Sequence, residues 1–350
     1  MKNLLMPFIF FAAISCKKDI YSEISFEVPV FTDSVYANTE MLNDTLYTKF
    51  VAGIASYKEY VILFANIDDY LFHFFDKNTG AIVKSFGRLG RGPQEILQIS
   101  QFHVNETHGE LTAYQQMTKE IYVFHLDSVL QNKGRFMDKI DLRSYKNMTF
   151  LNIYKCNTGF LLHGGKCTSF PGGARFSRFS DKGELREVYD LYPINSRRAS
   201  DSTAKRMDWE DLYLTRTISP DGSKLAEGTR LGGILEIFDM SDKITSRHLK
   251  GYYKPYFYKQ GNEDIYTEKT QWCFYQLTAS EHYLYALSFN GGHNDYPVCE
   301  MQVFDWQGNP VKKYKTDRPL MNICVDENRR KVYAISLTPI REALLISFNL

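Results

Sequence analysis

Tyr70-Leu-Phe-His-Phe-Phe-Asp76, then Lys77-Asn-Thr-Gly80, then Ala81-Ile-Val-Lys-Ser-Phe86 is the stretch that decides the fold. An apolar, aromatic run ends on an aspartate, turns at a glycine, and gives way to a second run of strand-forming residues. Asp supplies a local side-chain hydrogen bond and Gly supplies a positive φ, so the pair reverses the chain tightly. The same unit recurs down the chain. It reappears as Ile121-Tyr-Val-Phe-His-Leu-Asp127, as Arg178-Phe-Ser-Asp181 before Gly183, and as Ile234-Leu-Glu-Ile-Phe-Asp239. Two more copies follow: Met301-Gln-Val-Phe-Asp305 before Gly308, and Leu344-Leu-Ile-Ser-Phe-Asn349. The marker therefore falls at 76, 127, 181, 239, 305 and 349.

That period, with room for about four strands in each copy, is the signature of propeller blades. Almost no long stretch carries a helical period. The expectation is an all-β, six-bladed β-propeller with four-stranded blades, labelled a to d from the channel outward. A second turn class joins strands a and b; its clearest case is Ser219-Pro-Asp-Gly-Ser-Lys224, with Val325-Asp-Glu-Asn-Arg-Arg-Lys331 similar. The last copy stops at its third strand, so another segment must supply the fourth. Ile24-Ser-Phe-Glu-Val-Pro-Val-Phe31 is the strand expected to close the ring, with Pro29 tolerated on an outermost edge.

The N-terminus carries an address. Met1-Lys2-Asn3 precedes an apolar run, Leu4 to Ile14, too short for a permanent span of roughly 20 residues. Ser15 and Cys16 follow, then the polar Lys17-Lys18-Asp19. This is the layout of a cleaved secretory signal. Ala13-Ile14-Ser15-Cys16 resembles the bacterial lipobox, with Ala13 where Leu is usual. That resemblance implies cleavage before Cys16 and acylation of its thiol; several acyl chains anchor stably where one is marginal. The expected organisation is a signal peptide over 1–15, a tethered linker over 16–23 and the propeller over 24–350. No other segment reaches spanning length, so the only membrane contact expected is the lipid anchor. Lys17 follows the cysteine, rather than the Asp that resembles an inner-membrane retention signal, so the expected location is the outer membrane, on its periplasmic face or at the cell surface.

Composition narrows the function. The 350 residues carry a net charge of +1, which argues against a nucleic-acid partner. Hydrophobic residues make up 44% and aromatics 15%, enough for a packed β core. Beyond Cys16 five cysteines remain, at 156, 167, 273, 299 and 324, with no zinc spacing, and they read mainly as buried single thiols. No nucleophile elbow, zinc-protease helix or Cys-x-x-Cys pair is present, and no cofactor or metal is expected.

Phe86-Gly-Arg-Leu-Gly-Arg-Gly-Pro-Gln-Glu95 resembles the Gly-x-Gly-Arg-Gly-Pro-x-Glu segment of the TolB-like six-bladed propeller lipoproteins of Bacteroidetes. The likeness runs from about residue 24 onward. It implies fold and location, and brings no settled activity.

Loop lengths point to a working face. The a–b and c–d turns are short, while the b–c and d–a connections at 87–97, 164–174, 192–211, 251–270 and 291–297 are mostly long. Long connections in a compact domain concentrate binding. Candidate binding residues on that face are Arg88, Arg91, Trp209, Tyr253, Tyr256, His293 and Asp295. Arg88 and Arg91 either clamp an anion or belong to a structural turn. The tyrosines either meet a ligand or pack links onto blades. His293 and Asp295 offer a nitrogen and a hard oxygen to a hydroxylated ligand or a metal. The leading expectation is a binding module for a glycan, peptide or protein. The alternatives are a metal-dependent lyase or hydrolase at the channel mouth, and a structural subunit of an outer-membrane complex.

Overall fold

The computed structural model describes residues 24–44, 46, 48, 51–92, 94–133, 137–146, 148, 150–164, 175–189, 191, 214–240, 243–244, 246–256, 258–260, 263–289, 298–340 and 342–350. Two short strands come first, β1 (Ser34–Ala37) and β2 (Glu40–Asn43). Blade one follows as β3 (Gly53–Tyr57), β4 (Tyr60–Ile67), β5 (Tyr70–Asp76) and β6 (Ile82–Arg88). Blade two is β7 (Gln101–Asn105), β8 (Glu110–Gln115), β9 (Glu120–His125) and β10 (Met137–Asp141), with helix α1 (Leu126–Gln131) between its last two strands. Blade three is β11 (Phe150–Lys155), β12 (Phe160–Gly164), β13 (Phe176–Phe179) and β14 (Leu185–Tyr189). Blade four is β15 (Leu214–Ile218), β16 (Lys224–Thr229), β17 (Ile234–Asp239) and β18 (Ser246–Gly251). A small hairpin, β19 (Tyr258–Gln260) with β20 (Glu263–Ile265), precedes blade five. That blade holds β21 (Phe274–Ala279), β22 (Tyr283–Ser288), β23 (Val298–Asp305) and β24 (Pro310–Leu320). Blade six is β25 (Asn322–Asp326), β26 (Lys331–Leu337) and β27 (Ala343–Asn349), completed by β2.

The six-bladed architecture is as expected, and an N-terminal strand does close the ring. The strand is a different one, however. β2 pairs antiparallel with β27, Glu40 opposite Ser347 and Met41 opposite Ile346. Residues 24–31 instead strap the outer edges of two other blades. Ile24 is buried with Leu231, Ile234 and Trp272, Glu27 N donates to Gly251 O at 2.8 Å, and Phe31 meets Phe304 edge-on at 5.5 Å. Pro29 has no N–H to give a ladder, and Ile24 and Phe26 find their apolar partners at blade four. β1 then adds a fifth, parallel strand to blade five, Val35 opposite Tyr314.

A second expectation fails at Asp127. The residue does not end a strand before a tight turn; it lies in the first turn of α1. Its carboxylate accepts from Tyr57 Oη at 2.8 Å and Lys58 Nζ at 2.6 Å, both on blade one. An acidic residue suits a helix N-terminus, and Leu126 and Val129 of the same turn are buried.

Elsewhere the turns work as read. Asp76 Oδ1 accepts from the backbone N–H groups of Asn78 and Thr79 at 2.9 and 2.8 Å, and Gly80 has φ of 67°. Those bonds from Thr79 and Asn78 lower the Asp76 pKa. Ser219 Oγ accepts from Ser223 N and Lys224 N, and Gly222 has φ of 72°.

The core is a ring of inter-blade clusters rather than one central mass. Leu71, Phe72 and Phe74 of blade one pack with Leu111, Tyr122 and Phe124 of blade two. Equivalent clusters join blades two and three, three and four, four and five, five and six, and six and one. A middle strand covered on both faces has no polar side to show. That is why runs such as Val61–Ala65 and, apart from His73, Leu71–Phe75 read as continuous apolar sequence. Among the described cysteines 156, 273 and 324 are buried free thiols, and Cys299 is an exposed one.

Candidate functional site

The first strand of each blade, β3, β7, β11, β15, β21 and β25, faces the central axis. Together with the a–b turns these strands line a cavity of about 580 Å³. Five of the six junctions around it are tied by a side chain from one inner strand to its neighbour. Gln101 Oε1 accepts from Ile153 N at 2.7 Å. Arg216 Nη1 donates to Asn152 Oδ1 at 3.2 Å. Thr215 Oγ1 accepts from Leu277 N at 2.9 Å, and Gln276 Oε1 from Ile323 N at 2.9 Å. Asn322 Nδ2 donates to Val51 O, just ahead of β3, at 3.3 Å. At the remaining junction Phe102 lies over Gly53, so closely that a Cβ there would meet its ring at 2.6 Å. Inner strands face only each other and the cavity, so their outward N–H groups need side-chain partners. Gln, Asn and Thr meet that need while keeping the wall polar and mostly uncharged.

Two titratable groups stand out on this wall. Burial lowers the His103 pKa to about 4, so the ring is neutral at pH 7. Its Nδ1 has no hydrogen-bond partner among the described residues. At the a–b rim, crowding by protein raises the Glu106 pKa against the pull of Lys77. Lys77 itself is sunk between blades one and six and fully satisfied: Nζ donates to Asp326 Oδ2 at 2.6 Å, Ser56 Oγ at 2.8 Å and Lys58 O at 2.7 Å.

Behind the wall, between blades three and four, lies a buried charge network. Arg216 reaches it from the cavity: Nε donates to Glu227 Oε1 at 2.6 Å and Nη2 meets His163 Nε2 at 3.1 Å. Arg175 then bridges Glu227 and Glu236, with Nη2 to Glu236 Oε2 at 2.6 Å, and all three side chains are wholly buried. Burial pushes the Glu227 carboxyl up, but Arg175 and Arg216 outweigh it and hold it well below the usual carboxylate range. For Glu236 burial wins over Arg175 and the pKa is raised. Burial, reinforced by Arg216, lowers the His163 pKa to about 3. The neutral ring of His163 thus accepts from Arg216 at Nε2.

The residues singled out on the long-loop face are placed apart from this cavity. Arg88 ends β6, and its Nε lies 3.8 Å from Glu95 Oε1. Glu95 Oε2 accepts from Gly92 N at 2.8 Å, while Ile96 N donates to Arg88 O at 2.9 Å. The motif is therefore a closed turn around its own carboxylate, with exposed Arg91 on it. Tyr253 is half-buried against the cluster of Tyr252, Phe274 and Phe304. Tyr256 is exposed, with Lys269 Nζ 5.6 Å above its ring. None of these four lines the cavity. Cys16, Trp209, His293 and Asp295 lie outside the described residues. Among the described residues no group of three or more His, Cys, Asp or Glu is arranged to hold a metal ion. What the sequence did not reveal is the polar inner wall, because its residues come one or two per blade.

The sequence profile described as TolB-like 6-blade propeller-like matches residues 30–328. Among solved structures, a member of the DUF4221 family from Bacteroides vulgatus shares 10% identity. It aligns over 90% of this chain and 97% of its own, with a TM-score of 0.55. A protein of Bacteroides fragilis named as exported shares 9% identity over 91% of this chain and 99% of its own, at a TM-score of 0.53. Regucalcin from Agrobacterium tumefaciens, a calcium-binding protein, shares 9% over 90% of this chain and 95% of its own, at 0.50. At these identities the likeness is one of fold. The comparison with curated proteins finds no match.

Proposed function

The chain belongs to the TolB-like six-bladed propeller family, and from that premise we propose that it is an envelope-tethered binding module whose ligand seats in the central channel. The observation that carries this is the cavity itself, about 580 Å³ on the propeller axis with an amide- and hydroxyl-rich wall. That volume falls in the range of roughly 300–1,000 Å³ that small-ligand sites occupy. Gln, Asn and Thr donors and acceptors, with a neutral His103, suit a ligand rich in hydroxyls or amides: a glycan or a peptide. Acylated Cys16 provides the outer-membrane tether in this reading. The signal-like N-terminus and the exported Bacteroides neighbour support it. Among the described residues no helix is long and apolar enough to cross a membrane.

The test is calorimetry of the mature protein against glycan and peptide panels, repeated with Thr278→Trp, which fills the channel from β21. A ligand that binds wild type and fails with Thr278→Trp supports the channel. Equal binding by both moves the site to the long-loop face, where Tyr256→Ala and Trp209→Ala come next. A stoichiometric metal lost in His293→Ala would favour the enzyme alternative. For the tether, Cys16→Ala should release the protein from the membrane fraction.

A further inference from the structure

The outer rim of blades four and five has features that neither the channel nor ring closure uses. Along the strap Val28 is 56% exposed, Val30 74% and Tyr36 64%. Single exposed apolar side chains are ordinary; here three large ones fall within nine residues of one edge segment. The strands beneath them are basic. Over 24–37, β18 and β24 there are six cations, Arg247, Lys250, Lys312, Lys313, Lys315 and Arg318, against three carboxylates, Glu27, Asp33 and Asp317. Three are paired, Lys312 with Asp33 at 3.4 Å, Arg247 with Glu236 at 3.6 Å and Lys313 with Glu300 at 4.0 Å, while Lys250, Lys315 and Arg318 have no ion pair among the described residues. The strap is pinned there by Ile24, buried against Leu231, Ile234 and Trp272. Cys16 precedes that pin by eight residues, which reach about 28 Å at full extension. An anchor at Cys16 therefore keeps this rim within about 28 Å of the bilayer.

We propose that the rim of blades four and five is a membrane-docking surface that takes anionic lipid headgroups. Val28 and Val30 enter the interfacial layer, and Lys250, Lys315 and Arg318 sit against the phosphates. The propeller axis then lies along the membrane plane, and both ends of the channel stay open to solvent. The tethering half of this rests on acylation of Cys16; the surface itself is testable without it.

The first arm uses the mature chain from residue 16 with Cys16→Ser, sedimented with vesicles of phosphatidylcholine alone or with about a third phosphatidylglycerol. The expected result is about tenfold stronger partition onto the anionic vesicles, lost in about 0.5 M salt. Val28→Asp with Val30→Asp should cut that partition about tenfold at unchanged melting temperature, while Ile82→Asp with Val83→Asp on the edge of blade one should not. Equal binding to both vesicle types, or equal loss with both double variants, overturns the docking surface. The second arm reconstitutes the acylated protein with a polarity-sensitive dye on Val30→Cys or Val83→Cys, in a Cys299→Ser, Cys167→Ser background. An apolar reading at 30 and an aqueous one at 83 supports the proposal, and the same aqueous reading at both overturns it. Absence of acylation would sink the tether alone, leaving the first arm to decide the surface.

Discussion

Replacing Arg175 with Met should destabilise the protein by up to about 4 kcal/mol at neutral pH and by far less at pH 5. Arg175 is wholly buried between Glu227 and Glu236. Once it is gone, Glu227 keeps Arg216 at 2.6 Å, whereas among the described residues Glu236 keeps only Arg247, 3.6 Å away and one-third exposed. Coulomb attraction sets the scale of the loss, and proton uptake by Glu236 caps it. Coulomb attraction between unit charges about 4 Å apart, at an effective dielectric of about 20, is about 4 kcal/mol. Alternatively Glu236 escapes by taking a proton. That costs at most about 1.4 kcal/mol for each pH unit between its ordinary pKa near 4.3 and the solution, about 3.7 kcal/mol at pH 7 and about 1 at pH 5, less the share wild type already carries through the raised Glu236 pKa. The assay is urea unfolding followed by circular dichroism at both pH values, for wild type and variant. Adding Glu236→Leu to Arg175→Met should recover part of the loss, since a buried ion pair is often replaceable by apolar packing. A loss below about 1 kcal/mol at pH 7, or the same loss at both pH values, would refute the reasoning.

Other outcomes follow from the same structure. Phe72→Ala should cost about 3–5 kcal/mol in a urea titration, since Phe72 is wholly buried among Phe64, Phe86, Phe102 and Phe124 at 5.2–5.9 Å. Acid should destabilise the fold before its carboxylates titrate. His103 and His163 have folded pKa values of about 4 and about 3. In the unfolded chain each takes a proton near pH 6.5, so stability present above that pH is lost as pH falls toward the folded values. A melting temperature that stays flat from pH 7 to 5 would contradict this; His163→Gln should remove part of the slope, the rest remaining with His103 and the likewise lowered His73. Truncation separates strap from seal. A chain starting at residue 33 loses the contacts of Ile24, Phe26 and Phe31 and should stay folded with a lowered melting temperature. One starting at residue 45 also loses β2, exposes the β27 edge, and should aggregate in light scattering.

Most of the architecture was legible because blades repeat. The Asp-and-Gly turns at 76–80, 219–222 and 305–308 are local chemistry, and local chemistry shows in sequence. The closing strand was misplaced for the opposite reason. Ile24 to Phe31 alternates like a strand, while Glu40-Met-Leu-Asn43 is short and half polar; its place is set by the open edge of β27, some 300 residues away. Asp127 matched the blade marker by spacing, but buried Leu126 and Val129 turn that connection into a helix. The channel was hardest to see. Its wall is built from residues about 50 apart, each unremarkable alone. One signal was present and passed over: Glu236 sits at the centre of Ile234-Leu-Glu-Ile-Phe-Asp239, where an apolar c strand has no use for a charge unless a cation is buried opposite.

The path of the strap decides how the molecule bears load. Tension on the N-terminus first peels the backbone contacts of residues 25–27 from Gly251, then lifts Phe31 from Phe304, and only then reaches the parallel ladder of β1 on β24. The seal on β27 lies after all of these along the chain. A pull on the N-terminus is therefore spent on blades four and five in sequence, and the ring opens last.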